Sequence, residues 1–432
     1  MTHRHARTSE PPAKSRTSGA PGNTISHVLG RDAIHPFPAR MAPEVALAAI
    51  PEGSKPLRIL DPMMGSGTVI ALARKRGHRA VGLDIDPLAV LISSVWTTPI
   101  GRRQVVQMAN RVLLEARRIF SKTKTKNAYP RNADRETRKF VAYWFDGYSR
   151  RQLASLASTI SRVNDDTIRN ALWCGFSRLI ITKQSGSSLA MDLSHSRPHR
   201  AFERAPVKPL NKFLQMVKRV VDNCIESTTR SRGPAPQLSI GDARKLPISD
   251  GSIDVVLTSP PYLNAIDYIR CSKFTLVWMG YGISELRKLR ASSIGSESRG
   301  PTPLDRQEFE DIIVRMKLRG RLRPRENGIL KRYLYDMLLS LREASRVLRV
   351  TGRAVYVVGE NTLRGNYIPN SIAISEIAQL CGLNLRSRLV RTLPADRRYL
   401  PPPALVFKRT AFGARMRREV VLCFDKRKSL AS

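Results

Sequence analysis

The hydrophobic positions of this chain fall into short apolar runs separated by longer amphipathic stretches. Leu57-Arg58-Ile59-Leu60, Ala80-Val81-Gly82-Leu83, Leu238-Ser239-Ile240 and Asp254-Val255-Val256-Leu257 are each followed by a polar or glycine-containing break. Runs this short, bounded in this way, read as buried strands. Ala354–Val358, Asn384–Arg391 and Glu419–Phe424 extend the series to about seven strands. Between them, Glu44–Ile50, Val69–Arg76, Pro87–Trp96, Leu330–Leu348 and Ser371–Cys381 carry apolar residues at helical spacing. Strands alternating with helices predict an α/β fold built on a parallel sheet. No internal repeat interrupts the series.

The alternation breaks once. The helix Pro87–Trp96 should lead to a third strand, but residues 101–235 intervene. They read as helical at Val105–Phe120, Arg135–Trp144 and Arg151–Val163, and an apolar pattern resumes at Ser177–Lys183. The prediction is therefore a sheet with a largely helical insertion between strands 2 and 3. Residues 25–100 and 236–432 make the sheet domain, 101–235 the insertion, and 1–24 a basic tail too rich in Ser, Thr, Pro and Gly to bury a core. Residues 284–328, charged and glycine-containing, are expected to be partly disordered. A helix is expected from Asn264 and Asp267 through Tyr268 toward Met279, with the two polar residues as caps.

Composition adds a partner. Of 432 residues, 74 are Lys or Arg and 35 Asp or Glu, a formal net charge of +39. Such an excess points to a polyanion, nucleic acid before an anionic membrane surface. No run of roughly 18 apolar residues, the length a spanning helix needs, is present. The insertion holds Lys122-Thr123-Lys124-Thr125-Lys126, the aromatic cluster Tyr143, Trp144, Phe145 and Tyr148, and the basic loop Asp192–Arg200. It is the candidate DNA-binding and target-recognition region, with 284–328 as rival. Taken alone, the lysine run reads as a solvated linker and the aromatic cluster as core rather than stacking platform. The five scattered cysteines make no Cys-x-x-Cys pair, and His195 and His199 find no neighbour with metal-ligand spacing. The expectation is a cytoplasmic protein with no metal and no membrane attachment.

The candidate chemistry lies at the carboxyl ends of the strands, where open α/β sheets bind ligands. After the first strand comes Asp61-Pro62-Met63-Met64-Gly65-Ser66-Gly67-Thr68 and a helix. Strand, glycine loop and helix N-terminus together make a nucleotide-type binding start, without the lysine of a P-loop. The second strand ends in Asp84, placed to accept ribose hydroxyls, whereas Asp86 reads as the cap of the next helix. The third ends in Gly241-Asp242-Ala243, and the fourth in Thr258-Ser259-Pro260-Pro261-Tyr262. Two prolines cannot continue a ladder, so the chain leaves the sheet in a stiff extended turn. Ser259 and the Pro260 carbonyl can then act as acceptors beside the flat face of Tyr262, a setting that suits a planar ring with an exocyclic amine.

In these motifs and their order the chain resembles the S-adenosylmethionine-dependent DNA amino-methyltransferases, from His35 to about Phe424 with the insertion between. Their Asp-Pro-x-x-Gly-Ser-Gly-Thr loop binds the cofactor, and their Asp/Asn/Ser-Pro-Pro-Tyr/Phe motif is catalytic. The Ser form resembles the branch acting on cytosine N4. The resemblance implies a Rossmann-like class I methyltransferase sheet whose last strand is antiparallel. It assigns Phe37, Asp61, Gly65, Ser66, Gly67, Thr68, Asp84 and Asp242 to the cofactor. Phe37, in the proline-rich approach His35–Pro43, reads equally as turn packing, and a turn residue is the alternative for Asp242. It assigns Ser259, Pro260, Pro261 and Tyr262 to a base flipped out of double-stranded DNA. A restriction endonuclease or defence system is a possible partner. Alternatives are adenine N6 methylation, guanosine N2 methylation of RNA, and a nucleic-acid-binding protein that has lost catalysis. The absence of a Pro-Cys dipeptide argues against ring-carbon methylation. One departure stands out: the insertion lies between strands 2 and 3, not in the family's more usual recognition-domain places.

Overall fold

In the computed structural model, the residues described are 24–37, 41–53, 55–194, 198–227, 233–263, 269–296, 306–363, 366–392 and 418–426. The tail (but for residue 24), His195, the cap candidates Asn264 and Asp267, and the proline loop at 400–403 lie outside them. Seven strands form one sheet: β1 (Arg58–Asp61), β2 (Arg79–Asp84), β3 (Gln237–Ile240), β4 (Ile253–Thr258), β5 (Leu348–Gly359), β6 (Leu383–Thr392) and β7 (Arg418–Lys426). Their spatial order is β3-β2-β1-β4-β5-β7-β6. The first five are parallel, while β7 runs antiparallel to both β5 and β6. This is the class I methyltransferase order, with the expected antiparallel last strand.

Alternate residues of the central strands face opposite helical layers, as the two-residue strand period requires. Ile59, Val255, Leu257 and Val355 pack with the helices Pro43–Ala49 and Thr68–Lys75. Leu60, Val256, Ala354 and Tyr356 pack with Gln307–Arg315, Pro324–Val347 and Asn370–Leu380. Both faces are covered, which is why these strands are apolar throughout rather than alternating.

Of the stretch 284–328, the described residues 284–296 and 306–328 are largely helical. Most of Ile283–Ser292, all of Gln307–Arg315 and the start of Pro324–Val347 lie in it as helix. Phe309, Ile312, Ile313 and Met316 are buried, an i, i+3, i+4, i+7 stripe that the surrounding charges masked. Pro324 opens its helix at the first position, where a missing N–H costs nothing.

The insertion is mostly helical: Arg102–Lys122, Arg135–Trp144, Gly147–Ile160, Asp166–Ile180 and Pro209–Val221. A two-residue parallel ribbon, Pro99-Ile100 with Ile225-Glu226, closes its base. It does not stand apart. One continuous core joins its Val105, Phe145, Leu156, Phe176 and Phe213 to Leu88, Ile92 and Trp96 after β2. The same core takes in Ile269, Phe274 and Trp278 on the segment after the Pro-Pro turn. Phe274 is fully buried, with ring centroids 5.2 Å from Phe140, 5.0 Å from Trp144 and 6.2 Å from Phe145. Of the aromatic cluster, Phe145 is buried and Trp144 half-buried, while Tyr143 and Tyr148 are exposed.

Because the core is shared, insertion and sheet should unfold together. Phe274→Ala is expected to destabilise the protein by roughly 3–5 kcal/mol. Tryptophan fluorescence and far-ultraviolet circular dichroism should still report one coincident urea transition; two separated transitions would contradict a common core.

Candidate active site

Four strands end side by side and deliver the candidate residues to one edge. Asp61 closes β1, Asp84 closes β2 opposite Ile240 of β3, and Asp242 follows β3 by two residues. Ser259 follows β4 directly. The backbone stitches these ends together: Met64 N–H donates to the Leu83 carbonyl at 2.9 Å, and Gly241 N–H to the Asp84 carbonyl at 3.0 Å.

Within the glycine loop the two glycines differ. Gly65 has φ +50°, and a Cβ there would meet only the Phe37 ring, at 3.6 Å. Gly67 has φ +85°, and its Cβ would lie 2.2 Å from Ser93 Oγ. Gly65 thus keeps a face open for a ligand next to Phe37, while Gly67 permits the turn and the close approach of helix Pro87–Thr97. Ser66 and Thr68 are buried beside them.

Three carboxyls lie under this loop. Asp61 Oδ1 accepts from Thr258 Oγ1 at 2.8 Å and from Met63 N at 3.2 Å. Asp84 accepts from Gly65 N at 2.8 Å and Asp86 N at 2.9 Å. Asp86 caps its helix through Leu88 N at 2.9 Å, as its position suggested, and also takes the Ser272 hydroxyl. Burial raises all three pKa values against the pull of these hydrogen bonds. Asp61 and Asp86 are pushed up to about 7, with a smaller push from neighbouring Asp84. Such a buried, partly satisfied acidic floor is suited to a ligand that brings positive charge.

Asp242 is held by Arg244, whose guanidinium reaches its oxygens at 2.7–3.1 Å. Arg244 also bonds Asp336 of helix Pro324–Val347 at 2.6 Å and the Ser292 carbonyl. Sequence reasoning missed this clamp; the one local signal was the two-residue spacing of Asp242 and Arg244.

At the Pro-Pro turn, Ser259 Oγ donates to the Val357 carbonyl of β5 at 3.1 Å. A hydroxyl has one hydrogen and two lone pairs, so this bond leaves Ser259 an acceptor toward the opening. The Tyr262 hydroxyl is 3.4 Å from the same oxygen. Asn361, just past β5, donates its amide to the Leu263 carbonyl and is itself held by Asn370 at 3.1 Å. No local sequence signal points to that role. A last buried chain, His35 Nε2 to Ser177 Oγ and Ser177 Oγ to Thr275 Oγ1, each 2.9 Å, ties the approach segment, the insertion and the helix Ile269–Leu276.

The residues fit a cationic adenosyl cofactor: an open glycine face, an aromatic wall at Phe37, and carboxylates at the ends of β1, β2 and β3. Among the described residues no group of three or more His, Cys, Asp or Glu could hold a metal, and no helix is long and apolar enough to cross a membrane.

Comparison with known proteins agrees with this geometry. No family model matches the chain. It is similar to the Type II methyltransferase M.MvaI of Kocuria varians, 22% identical over 84% of this chain and 84% of that protein. It is 24% identical to the Type II methyltransferase M.AvaI of a Nostoc species over 77% of this chain and 74% of that one. Among solved structures, a TehB-like SAM-dependent methyltransferase of Corynebacterium glutamicum covers 93% of each chain at 11% identity, with a TM-score of only 0.29. The fold assignment therefore rests on the strand order.

The buried acids give a pH dependence to stability. A carboxyl whose folded-state pKa exceeds its unfolded value favours the folded state while protonated. That stabilisation is full below about 4 and fades as pH rises through about 7. The ligand-free protein should have a lower urea midpoint at pH 8 than at pH 5.5, and Asp61→Asn should flatten the difference. An unchanged slope in the variant would show that Asp61 is not the titrating group.

Proposed function

We propose that this chain, related over most of its length to Type II methyltransferases, methylates the exocyclic amine of a base flipped out of double-stranded DNA, with cytosine N4 as its target. Its cofactor is S-adenosylmethionine, which supplies a methyl group on a sulfonium. The observation that carries the reading is the Thr258–Asp61 hydrogen bond, which sets the Ser-Pro-Pro-Tyr turn beside the glycine loop.

An exocyclic amine is a poor nucleophile because its lone pair is delocalised into the ring. Ser259, whose hydrogen is committed to Val357, accepts one amine N–H, and the Pro260 carbonyl accepts the other. Holding both hydrogens draws the nitrogen toward tetrahedral geometry and localises the lone pair on it. S-adenosylmethionine held beside the turn would supply the methyl group to this nitrogen and leave as the neutral thioether, and the extra proton on the nitrogen would pass to water. Tyr262 stacks the flipped base, Asp84 holds the ribose, Asp242 with Arg244 behind it meets the adenine amino group, and Phe37 walls the pocket. The remaining contribution is alignment in a water-poor site.

Labelled S-adenosylmethionine with mixed-sequence duplex DNA, and tRNA in parallel, followed by nucleoside mass spectrometry, tests this directly. N4-methylcytosine is expected from DNA. Ser259→Ala should cut the rate by about 10²–10³-fold, comparable to losing one oriented polar contact in a transition state. Methyladenine would correct the base, and label in tRNA alone would replace the substrate.

The acidic floor gives a second expectation. A cation bound there favours ionised carboxylates, so cofactor affinity should increase from pH 6 to pH 8, with proton release visible by calorimetry in buffers of different ionisation enthalpy. Affinity independent of pH would remove Asp61 from the cofactor's charge environment.

A further inference from the structure

The insertion carries 27 Lys and Arg against 10 Asp and Glu. Five of its cations lie over aromatic rings. Arg138 and Arg150 stand 5.3 and 4.8 Å from the Tyr129 centroid, Arg151 4.4 Å from Phe120, Lys208 5.1 Å from Tyr148, and Arg200 5.7 Å from the exposed ring of Tyr143. An aromatic face holds a cation in place without neutralising it.

One of these pairs, Arg138 over Tyr129, borders a surface cavity of about 500 Å³ lined by Tyr129, Ala133, Arg135, Arg138, Lys139 and Ala142. The three cations are exposed, and no acidic side chain lines the cavity. The nearby acids are committed elsewhere: Asp134 caps the helix through Thr137 N at 2.7 Å, and Glu136 pairs with Arg287. Arg138 is oriented by the Ala133 carbonyl at 3.0 Å, which fixes its guanidinium at the cavity wall.

The cavity is also tied mechanically to the catalytic turn. Its helix, Arg135–Trp144, bonds the helix Ile283–Ser292 through Ile283 N to Thr137 Oγ1 at 3.0 Å and through Arg287 to Glu136. Gly295, just beyond that second helix, lies against the Tyr262 carbonyl, 3.5 Å from the position its Cβ would take. The other face of Arg135–Trp144 packs Phe140 and Trp144 on Phe274, in the helix that follows the turn.

We infer that the cavity walled by Arg135, Arg138 and Lys139 clamps backbone phosphates of the DNA strand flanking the flipped base. The inference rests on the DNA reading of the catalytic site and adds where that duplex is gripped. Contacts to phosphate fix register without reading sequence, so the clamp sets which base is presented to Tyr262 rather than which sequence is chosen.

Binding of the full-length protein to a fluorescent duplex, measured across about 0.05–0.2 M salt, tests it. Each lost phosphate contact should lower the slope of log affinity against log salt by about 0.9. The triple substitution Arg135→Gln, Arg138→Gln and Lys139→Gln should therefore flatten the slope by about 2–3. Ala142→Glu, an exposed change that puts a carboxylate into the cavity, should weaken binding about tenfold or more by like-charge repulsion. S-adenosylmethionine affinity, measured on the same proteins, reports that the sheet domain remains folded. Slopes and affinities equal to wild type in both variants overturn the clamp. A wild-type protein that binds duplex steeply but transfers no methyl group overturns the catalytic reading and leaves the clamp standing. Preference for RNA hairpins over duplex DNA overturns both.

Discussion

The hydrogen bond between Thr258 and Asp61 holds the two halves of the site in one geometry. It joins the carboxyl ends of β4 and β1, adjacent strands separated by 197 residues of chain. The glycine loop starts at one end of this bond and the Pro-Pro turn at the other. Both groups are buried, so neither can exchange its partner for water without cost. The residue types on either side then make sense. A threonine ends the strand because its methyl suits a packed ladder while its hydroxyl reaches sideways. An aspartate ends its neighbour because it can serve Thr258, the Met63 amide and a ligand at once.

The parts of the site legible in the sequence are those made by contiguous chain. Gly65, Gly67, Asp84 and the Ser259–Tyr262 turn are each read within a few residues of a strand end, and all come to one edge of the sheet. Asp86 as a cap was equally local. The parts that escaped are made by distant pairs. Arg244 meets Asp336 across 92 residues, Asn361 meets Leu263 across 98, and His35 meets Ser177 across 142. No periodicity or motif encodes such partners, because each depends on how two helices are laid against the sheet. Dense surface charge likewise hid the apolar stripe of Phe309, Ile312, Ile313 and Met316 within 284–328.

The electrostatics of the molecule divide by depth. Beneath the site, burial raises the pKa of the acids, with Asp84 adding to the rise at Asp61 and Asp86, an arrangement that favours an incoming cation. Across the outer surface the balance reverses to a large positive excess, suited to a polyanion. Arg244 stands at the boundary, neutralising Asp242 and Asp336 together so that the third strand end stays charged but rigid. A single chain can in this way attract two ligands of opposite sign without either field cancelling the other.

The shared core of insertion and sheet has a consequence for how such an enzyme diversifies. An inserted region tethered by flexible joints can be exchanged as a cassette, since its interior is its own. Here Phe274, whose helix follows the Pro-Pro turn, sits among Phe140, Trp144 and Phe145 of the insertion. A grafted replacement would bring the wrong partners for that ring and disturb the very turn it was meant to serve. Change in this insertion is therefore expected to come by point substitutions on a retained frame, not by exchange of whole segments.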